Sequence, residues 1–558
     1  MADDKFTVRQ LFTRCDADRH GSLEQARIAA MLTKPHVLPP AGQRANQELP
    51  KNFQSIGSRG ISILVGKLLL AMYPPGVPWF VLVPAAHIRN DPNVDPSIVQ
   101  QTQQDLFLYG STLMAQLESS EVNPDTDMRR RVIGFRSHKA RTIEQILITG
   151  DALERLHDDF RMQLFRRHEY VSKRDTGGAV LFHIVQESKD MADLSPDPQR
   201  QRELYEKSGL PDDLLTQEDP TKRIKPIYTW VQWQPKTRTW VIRQEINDHV
   251  ILESQEPVSP FISTPFELTG EDYGRGFIES QNLGDLRSLD ELELRLLEHL
   301  GLSSKALLGI DDSANMRDDD LMQPPGSLVH GCRVVNGVVQ NIGPIQFTSG
   351  RDYQMLVNGV TRKSQSLAAS MLIESETTRQ AERVTTVEIQ RNVAELQSAL
   401  GGVYTSVADE NQLPLLQRVI WQWNEQNNTD LPRNEAGESL IEVRSLTGLA
   451  ALSNNQDIQK LLTALQMLQQ LGPEAMRRID IGVAVDVLLR QVGLHEPGLI
   501  KSSDQIAAED QAAAKQQLAL QAGQQAIQSS GRIAEGQAAA QAQAEPQNGQ
   551  GEPSQEVA

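Results

Sequence analysis

The chain has 558 residues, more than a single hydrophobic core usually supports, so several subdomains are expected. Only 39% of the residues are hydrophobic and 5% aromatic, and the formal net charge is −18. This acidity excludes a general binder of duplex DNA, because Lys and Arg that neutralise phosphates supply most of that affinity. The two cysteines, Cys15 and Cys332, do not make a disulfide framework and indicate a reducing compartment.

Neither a secretory signal nor a membrane span is predicted. The N-terminal stretch MADDKFTVRQLF is acidic and lacks an apolar core. The most apolar run, residues 61–83, is interrupted by Lys67 and by prolines, so it cannot form the apolar helix of about 20 residues that a bilayer needs. A soluble protein of the cytoplasm is therefore expected.

The N-terminal part shows mainly helical periodicity. Residues 1–50 indicate helix followed by loop, and residues 55–72 indicate a helix packed on a core. Similar periodicity predicts helices within 97–120 and 141–166. The period then changes, because residues 169–188 and 227–246 alternate apolar with polar side chains around short turns and so predict two hairpins. The mixture predicts the α+β class, with a β-rich unit at 168–262.

Two long helices are predicted on either side of a compact β insert. Leucines recur at three- and four-residue spacing in 282–300, with Asn282 as the expected N-cap and Gly301 as the expected stop. The run VVNGVV at 334–339 predicts a tight hairpin, and residues 351–372 return to a helical pattern.

The C-terminal part begins with a polar segment and continues with helices. A long helix is expected to run past residue 420, with a bend at Gly401 and Gly402 and an interruption near Pro414. Short helices are predicted within 447–495. Residues 505–558 are rich in Ala and Gln, and their end has the composition of a disordered segment.

Two motifs suggest known chemistry but fail in detail. Residues 16–27 open like an EF-hand loop, yet Arg27 stands where calcium needs a bidentate Glu. Residues 60–68 suggest a phosphate loop, but the glycines are too far apart and Leu68 replaces the Ser or Thr that binds magnesium. The chain has no HExxH, no GxSxG and no Cys/His pair at metal spacing, so no catalytic centre, metal site or cofactor is predicted.

One basic feature is left open by the residues alone. Arg379 and Arg383 lie in the polar segment between two predicted helices. Such a segment forms either a loop presented to a polyanion or a solvated connection between helices.

Three blocks of sequence resemble the portal proteins, or head-to-tail connectors, of short-tailed podoviruses of the autographivirus type. They are GEDYGRGFIESQNLGDLRSLDELE at 270–293, ERVTTVEIQRNVAELQSALGGVYTSVADENQLPLLQRV at 382–419 and, more weakly, FQSIGSRGISILVGKLLLAMYPP at 53–75. The blocks stand in the family's order, and the resemblance spans about 50–430.

The resemblance implies a portal fold with a defined succession of parts. These parts are a wing at 1–280, stem helices at 281–302 and 351–372, a clip at 303–350, a tunnel loop at 373–385, a long wing helix at 386–428, a crown at 429–504, and a tail at 505–558 that forms a barrel or stays disordered. Periodicity alone, without the resemblance, predicts the helix, β insert and helix.

The resemblance also implies a function without catalysis or cofactors. A homo-oligomeric ring, a dodecamer in the family, would stand at the unique portal vertex of the virion after assembly in the host cytoplasm. Double-stranded DNA would pass through its channel, and the terminase large subunit and then a tail adaptor would dock on it. Scaffolding, major capsid and internal core proteins are further expected partners. The alternatives are an ATP-dependent DNA packaging enzyme and an internal virion or tail protein that forms no ring.

Site residues follow from their place in these parts. The resemblance assigns DNA contact in the tunnel loop to Arg379 and Arg383. It assigns docking on the clip to Arg317, Arg333, Asn336 and Gly337, and the stem and ring interface to Arg275, Arg287, Leu289 and Leu296.

Overall fold

The computed structural model describes a large part of the chain. The described residues are 6–44, 46–74, 79–85, 102, 106, 109–117, 134–195, 197–215, 219–303, 308–310, 333–336, 338–339, 342–344, 350–373, 396, 402–427 and 441–445. The chain divides into two compact units, Met1–Gln466 and Met467–Ala558, and every described residue belongs to the first. Within the described ranges, no helix is both long and apolar enough to cross a membrane.

The N-terminal part contains helices α1 (Val8–Asp18), α2 (His20–Leu32), α3 (Ile56–Met72) and α4 (Phe135–Thr149). A capping box starts α1, because the backbone N–H of Gln10 donates to Thr7 Oγ1 at 3.4 Å and that of Thr7 to Gln10 Oε1 at 3.3 Å. The helix predicted at 55–72 is confirmed, and its stripe of apolar side chains is buried in the core.

The phosphate-loop interpretation of residues 60–68 is incompatible with α3. Gly60 and Gly66 lie within a continuous helix rather than in a loop after a strand. The Lys67 side chain is buried within the protein and is therefore not presented to a phosphate.

Two antiparallel sheets and two short helices follow. The elements are β1 (Phe80–Pro84), β2 (Asp151–Leu156), β3 (Met162–Phe165), β4 (Tyr170–Arg174), β5 (Val180–Asp190), α5 (Pro198–Lys207), α6 (Pro220–Arg223), β6 (Ile224–Gln234), β7 (Thr239–Ile246), β8 (His249–Glu256) and β9 (Phe261–Pro265). Strands β4 to β8 form one sheet in sequence order, and the other sheet has the order β3-β2-β9. Both predicted hairpins, at 169–188 and 227–246, are confirmed as β4–β5 and β6–β7.

The β-rich region is larger than the predicted 168–262, and the helix predicted through 166 is wrong beyond residue 149. Gly150 has φ +82°, a left-handed conformation that ends α4. The next residues form β2, which places Asp151 opposite Pro265 and Leu153 opposite Ser263. Since β9 is far away in sequence, the local periodicity of residues 151–165 could not reveal this pairing.

The predicted succession of helix, β insert and helix is confirmed. Helices α7 (Leu283–Ser303) and α8 (Gly350–Ser370) bracket strands β10 (Leu308–Ile310), β11 (Val334–Val335), β12 (Val338–Val339) and β13 (Ile342–Pro344). β10 pairs with β13, and β11 pairs with β12 around Asn336, whose φ of +52° suits the turn predicted there.

Both predicted ends of α7 are wrong. A π-helical turn, Ile278–Asn282, leads directly into α7, so Asn282 lies inside the helical segment and does not cap it. The helix also continues through Gly301 to Ser303. In each case the chain keeps its helical hydrogen bonds, because a residue suited to a cap does not by itself terminate a helix.

The long C-terminal helix is α9 (Gly402–Asn427), and it continues through Pro414, so the predicted interruption is wrong. Buried neighbours such as Leu415 and Leu416 fix this segment on the core. Strand β14 (Ile441–Ser445) falls in the predicted crown, yet it pairs with β1, with Phe80 opposite Ser445. This pairing joins residues 441–445 to the strand that follows α3 in the chain.

The main core lies where α2, α3, α4 and α9 meet the start of α7 and the end of α8. Smaller cores lie on the two faces of the five-stranded sheet, one of them under α1. Several predictions fall outside the described residues: most of the helix at 97–120, the tunnel loop after Ile373, most of 386–401, the helices at 447–495 and the tail at 505–558.

Candidate functional site

The helices α7 and α8 pack against each other in opposite directions, and we call them the helix pair. Three contacts set their register. Ser370 Oγ donates to Asn282 Oδ1 at 2.7 Å, Lys363 Nζ donates to Asp285 Oδ1 at 2.5 Å, and the rings of His299 and Tyr353 lie 5.8 Å apart. Because residue numbers rise along α7 as those of their α8 partners fall, the pair is antiparallel.

The proximal end of the helix pair, near Asn282 and Ser370, is anchored in the core. Leu286 and Leu289 are 0% exposed, and so is Met371 just after α8. A Cβ atom on Gly60 of α3 would lie 2.2 Å from Met371 Sδ, so glycine permits this close approach. The anchoring is also polar, because Asp290 Oδ1 accepts the backbone N–H of Phe53 at 2.8 Å.

Burial decreases along the helix pair away from this end. Leu297 and Leu300 of α7 are 51% and 43% exposed, and Met355 of α8 is 63% exposed. The register set by His299 and Tyr353 places Leu297 and Met355 at the same level of the pair. Leu297 and Met355 thus leave apolar surface uncovered within this chain.

The exposed side of α7 also carries charges. Arg295 pairs with Glu298, with Nη1 to Oε2 at 2.9 Å, and lies 3.7 Å from Glu291. All three side chains are about half exposed or more, so these pairs are worth only a few tenths of a kcal/mol within the chain. They remain available to oppositely charged groups on a neighbour.

Three glycines form the joint between the sheets and the helix pair. A Cβ atom on Gly150 would lie 2.3 Å from the Gly274 carbonyl oxygen, and one on Gly276 would lie 2.8 Å from the Ile148 carbonyl oxygen. Backbone therefore packs on backbone here, which only glycine allows. The joint is tightly packed at both Gly274 and Gly276.

A buried ionic group fixes the same joint. Asp151 Oδ1 accepts the hydroxyl of Tyr170 at 2.9 Å, and Asp151 Oδ2 lies 3.8 Å from Arg167 Nη1. Burial raises the pKa of Asp151, and Arg167 opposes this only in part. The Arg167 guanidinium in turn lies 3.9 Å from the ring centre of Tyr273, next to Gly274.

A second buried polar network connects α4, β2 and α9. Glu154 Oε2 accepts from Lys139 Nζ and from Asn411 Nδ2, each at 2.8 Å, while Oε1 lies 2.8 Å from His138 Nε2. Lys139 Nζ also donates to Asn411 Oδ1 at 2.9 Å. Glu154 and Lys139 are closed to solvent, so the network joins secondary-structure elements rather than facing a substrate. Among the described residues, no cluster of His, Cys, Asp or Glu could hold a metal ion.

The predicted site residues fall into three groups. Arg275 and Arg287 are exposed, the former at the joint with its Nε 3.9 Å from Glu279, and Leu296 is half-buried. Leu289 is fully buried within its own chain, where it packs in the main core. Arg333 and Asn336 are exposed at the β11–β12 hairpin, whereas Arg317, Gly337, Arg379 and Arg383 lie outside the described residues.

Sequence reasoning missed the exposed apolar side chains of the helix pair. Leu297 follows Leu296 directly and so widens the leucine stripe beyond one helix face. That widening was the available signal, because a helix buried on one side needs only a single stripe. Met355 carried no comparable signal, since its exposure depends on how the two helices pack.

These features define a subunit with sheets, a core and an anchored helix pair, and comparison with known proteins assigns it to a family. The family model described as "Bacteriophage head to tail connecting protein" matches residues 5–500, so the chain belongs to this family. This confirms the resemblance read from the three sequence blocks.

Named relatives match over nearly their whole length. The portal protein of Enterobacteria phage T3 is 25% identical over 524 residues, covering 90% of this chain and 91% of the relative. The portal protein of Pseudomonas phage phiKMV is 26% identical over 535 residues, covering 91% and 95%. Among solved structures, the neck of an empty GTA particle matches with a TM-score of 0.34 and 8% identity, covering 73% of this chain and 86% of that chain.

Proposed function

We propose that this chain is the subunit of a portal ring, through which double-stranded DNA enters and leaves a phage head. Family membership and the portal relatives, matched over about nine-tenths of both lengths, support the role. The structural observation that carries it is the helix pair, which is anchored at one end and leaves Leu297 and Met355 more than half exposed at the other.

A ring explains why these side chains are uncovered. In a cyclic assembly each subunit contacts the next through two different surfaces, so a face left open in one chain is covered by its neighbour. Leu297, Leu300 and Met355 would supply the apolar part of that contact, with Arg287 and the charges around Arg295 at its margin. Twelve copies are the proposed number, as the family resemblance implies.

The parts of the subunit take the roles that the resemblance assigned. The helix pair is the stem, residues 303–350 are the clip, and 373–385 form the tunnel loop. Residues 1–280 with β14 belong to the wing, and the crown comes from the rest of 429–504. Arg379 and Arg383 would contact DNA, and Arg317, Arg333, Asn336 and Gly337 would present the clip to the terminase large subunit and then to a tail adaptor.

The charge of the chain suits a channel that DNA passes without sticking. With a net charge of −18 on each chain, a ring repels duplex DNA overall, so a few arginines can touch phosphates without holding them. The subunit itself would catalyse no reaction, and ATP hydrolysis would belong to the terminase. Assembly would take place in the host cytoplasm with scaffolding, major capsid and internal core proteins.

Negative-stain imaging of the purified full chain tests the ring. The wild-type protein should form rings with a central hole, and the double variant Leu297→Glu with Met355→Glu should remain monomeric while keeping its melting temperature. Leu215→Glu is the matched control, because Leu215 is an exposed leucine outside the helix pair, and it should still form rings. Single particles of the wild type without ring symmetry would instead support an internal virion or tail protein.

A test of the proposed DNA contact requires assembled particles. Arg379→Ala combined with Arg383→Ala should reduce the fraction of particles that retain packaged DNA, while ring formation stays normal. Normal packaging and retention in this variant would overturn the contact role of both arginines.

A further inference from the structure

A cleft beside α4 and the β2–β3 hairpin concentrates positive charge in an acidic chain, and we call it the basic cleft. Its volume is about 630 Å³, and its wall includes Arg141, Arg161 and Arg166 together with His36, His138 and His157. Among the described residues that line it, Glu144 is the one carboxylate, and Lys34 pairs with it. The cleft is therefore positive, although the chain carries a net charge of −18.

Two of the three guanidinium groups are available to a ligand. Arg161 Nε donates to Asp159 Oδ2 at 2.5 Å. In the described part of the chain no carboxylate lies within 4.0 Å of the Arg141 or Arg166 guanidinium, and Arg166 acts on Glu169 only from a longer distance, where it opposes the rise that burial causes in the pKa of that carboxyl. Burial and the nearby Arg155 lower the pKa of His157, so that imidazole is neutral at pH 7. The arginines supply permanent positive charge to the cleft, and their forked donors match carboxylate and phosphate groups.

The remaining wall of the cleft is apolar. Val37 from the loop after α2 and Met162 and Leu164 of β3 line it beside the arginines. β3 is also an edge strand of its sheet within the described residues. A site with both guanidinium and aliphatic walls fits a ligand that carries acidic and apolar groups together.

We propose that the basic cleft binds an acidic, partly apolar peptide segment of a partner protein. A volume of about 630 Å³ accommodates a few side chains but not a DNA duplex, whose phosphates lie on a broad convex surface. A long polyanion also experiences the negative field of the whole chain. Two or three carboxylates of a bound peptide would lie within about 10 Å of the cleft arginines. The acidic groups elsewhere on the chain are farther from the peptide, so salt largely screens their repulsion.

Fluorescence anisotropy with the full chain tests this proposal, which does not depend on ring formation. The probe is a labelled peptide of about ten residues that alternates glutamate with leucine, titrated at physiological salt. Arg141→Ala combined with Arg166→Ala should weaken its binding at least tenfold. Arg202→Ala is the matched control, because Arg202 is an exposed arginine on α5 outside the cleft, and it should bind the peptide as the wild type does.

Two further probes test whether the cleft requires apolar groups in its ligand and whether it prefers peptide to nucleic acid. A peptide with serine in place of every leucine should bind several-fold more weakly, because it lacks the groups that meet Met162 and Leu164. Single-stranded DNA of equal charge should bind more weakly than the acidic peptide. The proposal is overturned by peptide binding that the double variant leaves unchanged, by no binding at all, or by DNA that binds more tightly through the same arginines.

Discussion

The Nζ atom of Lys139 lies 2.8 Å from Glu154 Oε2, and both side chains are buried in the interior of the subunit. Burial lowers the pKa of Lys139 although Glu154 opposes this. Burial alone would raise the pKa of Glu154, but Lys139 and His138 more than offset it and hold that pKa below its ordinary value. Each charge of this buried pair therefore depends on the other.

Removal of one partner should therefore be costly. We expect Lys139→Ala to lower the free energy of unfolding by about 3 kcal/mol or more, because it leaves the Glu154 carboxylate uncompensated. Urea denaturation followed by tryptophan fluorescence measures this change. Lys363→Ala is the control, since Lys363 and Asp285 are each 38% exposed and such a pair contributes only about 0.2–1 kcal/mol. Equal losses in the two variants would contradict the role of burial.

Buried His183 predicts a loss of stability in acid. Burial and Arg174 lower its pKa to about 3, and its Nδ1 lies 2.8 Å from Ser172 Oγ. Below pH 6.5 the His183 imidazole binds a proton in the unfolded chain but not in the folded chain. The free energy of unfolding therefore falls until the pH approaches about 3. Between pH 6.5 and pH 5 this histidine should lower the free energy of unfolding by about 2 kcal/mol.

Melting temperatures of the wild type and His183→Gln across this pH range provide the measurement. The variant should start from a lower stability at pH 7.5, because the fit around residue 183 is disturbed. Its melting temperature should nevertheless decline less steeply from pH 6.5 to pH 5. Parallel curves for the two proteins would show that His183 is not the titrating group.

Alanine in place of glycine should lower the free energy of unfolding by different amounts at Gly150, within the glycine joint, and at Gly270, just before it. At Gly150 an added Cβ would meet the Gly274 carbonyl oxygen at 2.3 Å, and φ is +82°, so Gly150→Ala should cost about 3 kcal/mol or more. Gly270 has a similar φ of +84° but open space around it, so Gly270→Ala should cost only about 1 kcal/mol. Thermal unfolding of both variants isolates the effect of the backbone contact, and similar melting temperatures would argue against a tightly packed joint.

The contact between Gly60 and Met371 predicts energetic coupling between α3 and the end of α8. Gly60→Ala should cost about 2 kcal/mol, because its Cβ would overlap the Met371 side chain. Met371→Ala should cost about 3 kcal/mol through the cavity that it leaves. The double variant should lose at least about 1 kcal/mol less than the sum, since the shortened side chain makes room for the new methyl group. Strict additivity in urea denaturation would mean that the two residues do not share this space.

Sequence reasoning succeeded where structure is local. The leucine spacing of 283–300 predicts α7, and the Asn336 turn between valines predicts the β11–β12 hairpin, because side-chain period and turn preference act between near neighbours. It failed at Pro414 and at residues 151–165. In those places packing against distant segments outweighed the local signal, as when β2 found its partner in β9.

For the helix pair, too, some features could be predicted from local sequence and others depended on distant contacts. The family of the chain was readable from sequence blocks, and Leu289 and Leu296 could be placed on a helix by their spacing. That Leu289 is buried inside the subunit while Leu297 and Met355 are exposed was not readable. Exposure depends on which segments cover a helix, and the covering segments here are α2, α3 and the end of α8.

The class of protein, the succession of helix, β insert and helix, and the acidity of the chain follow from the sequence alone. How these parts are joined depends on the folded structure. It placed Gly150 against Gly274, paired β14 with β1, and gathered Arg141 and Arg166 around one cleft. Periodicity and composition act over a few residues, whereas burial and charge arise from residues brought together across hundreds of positions.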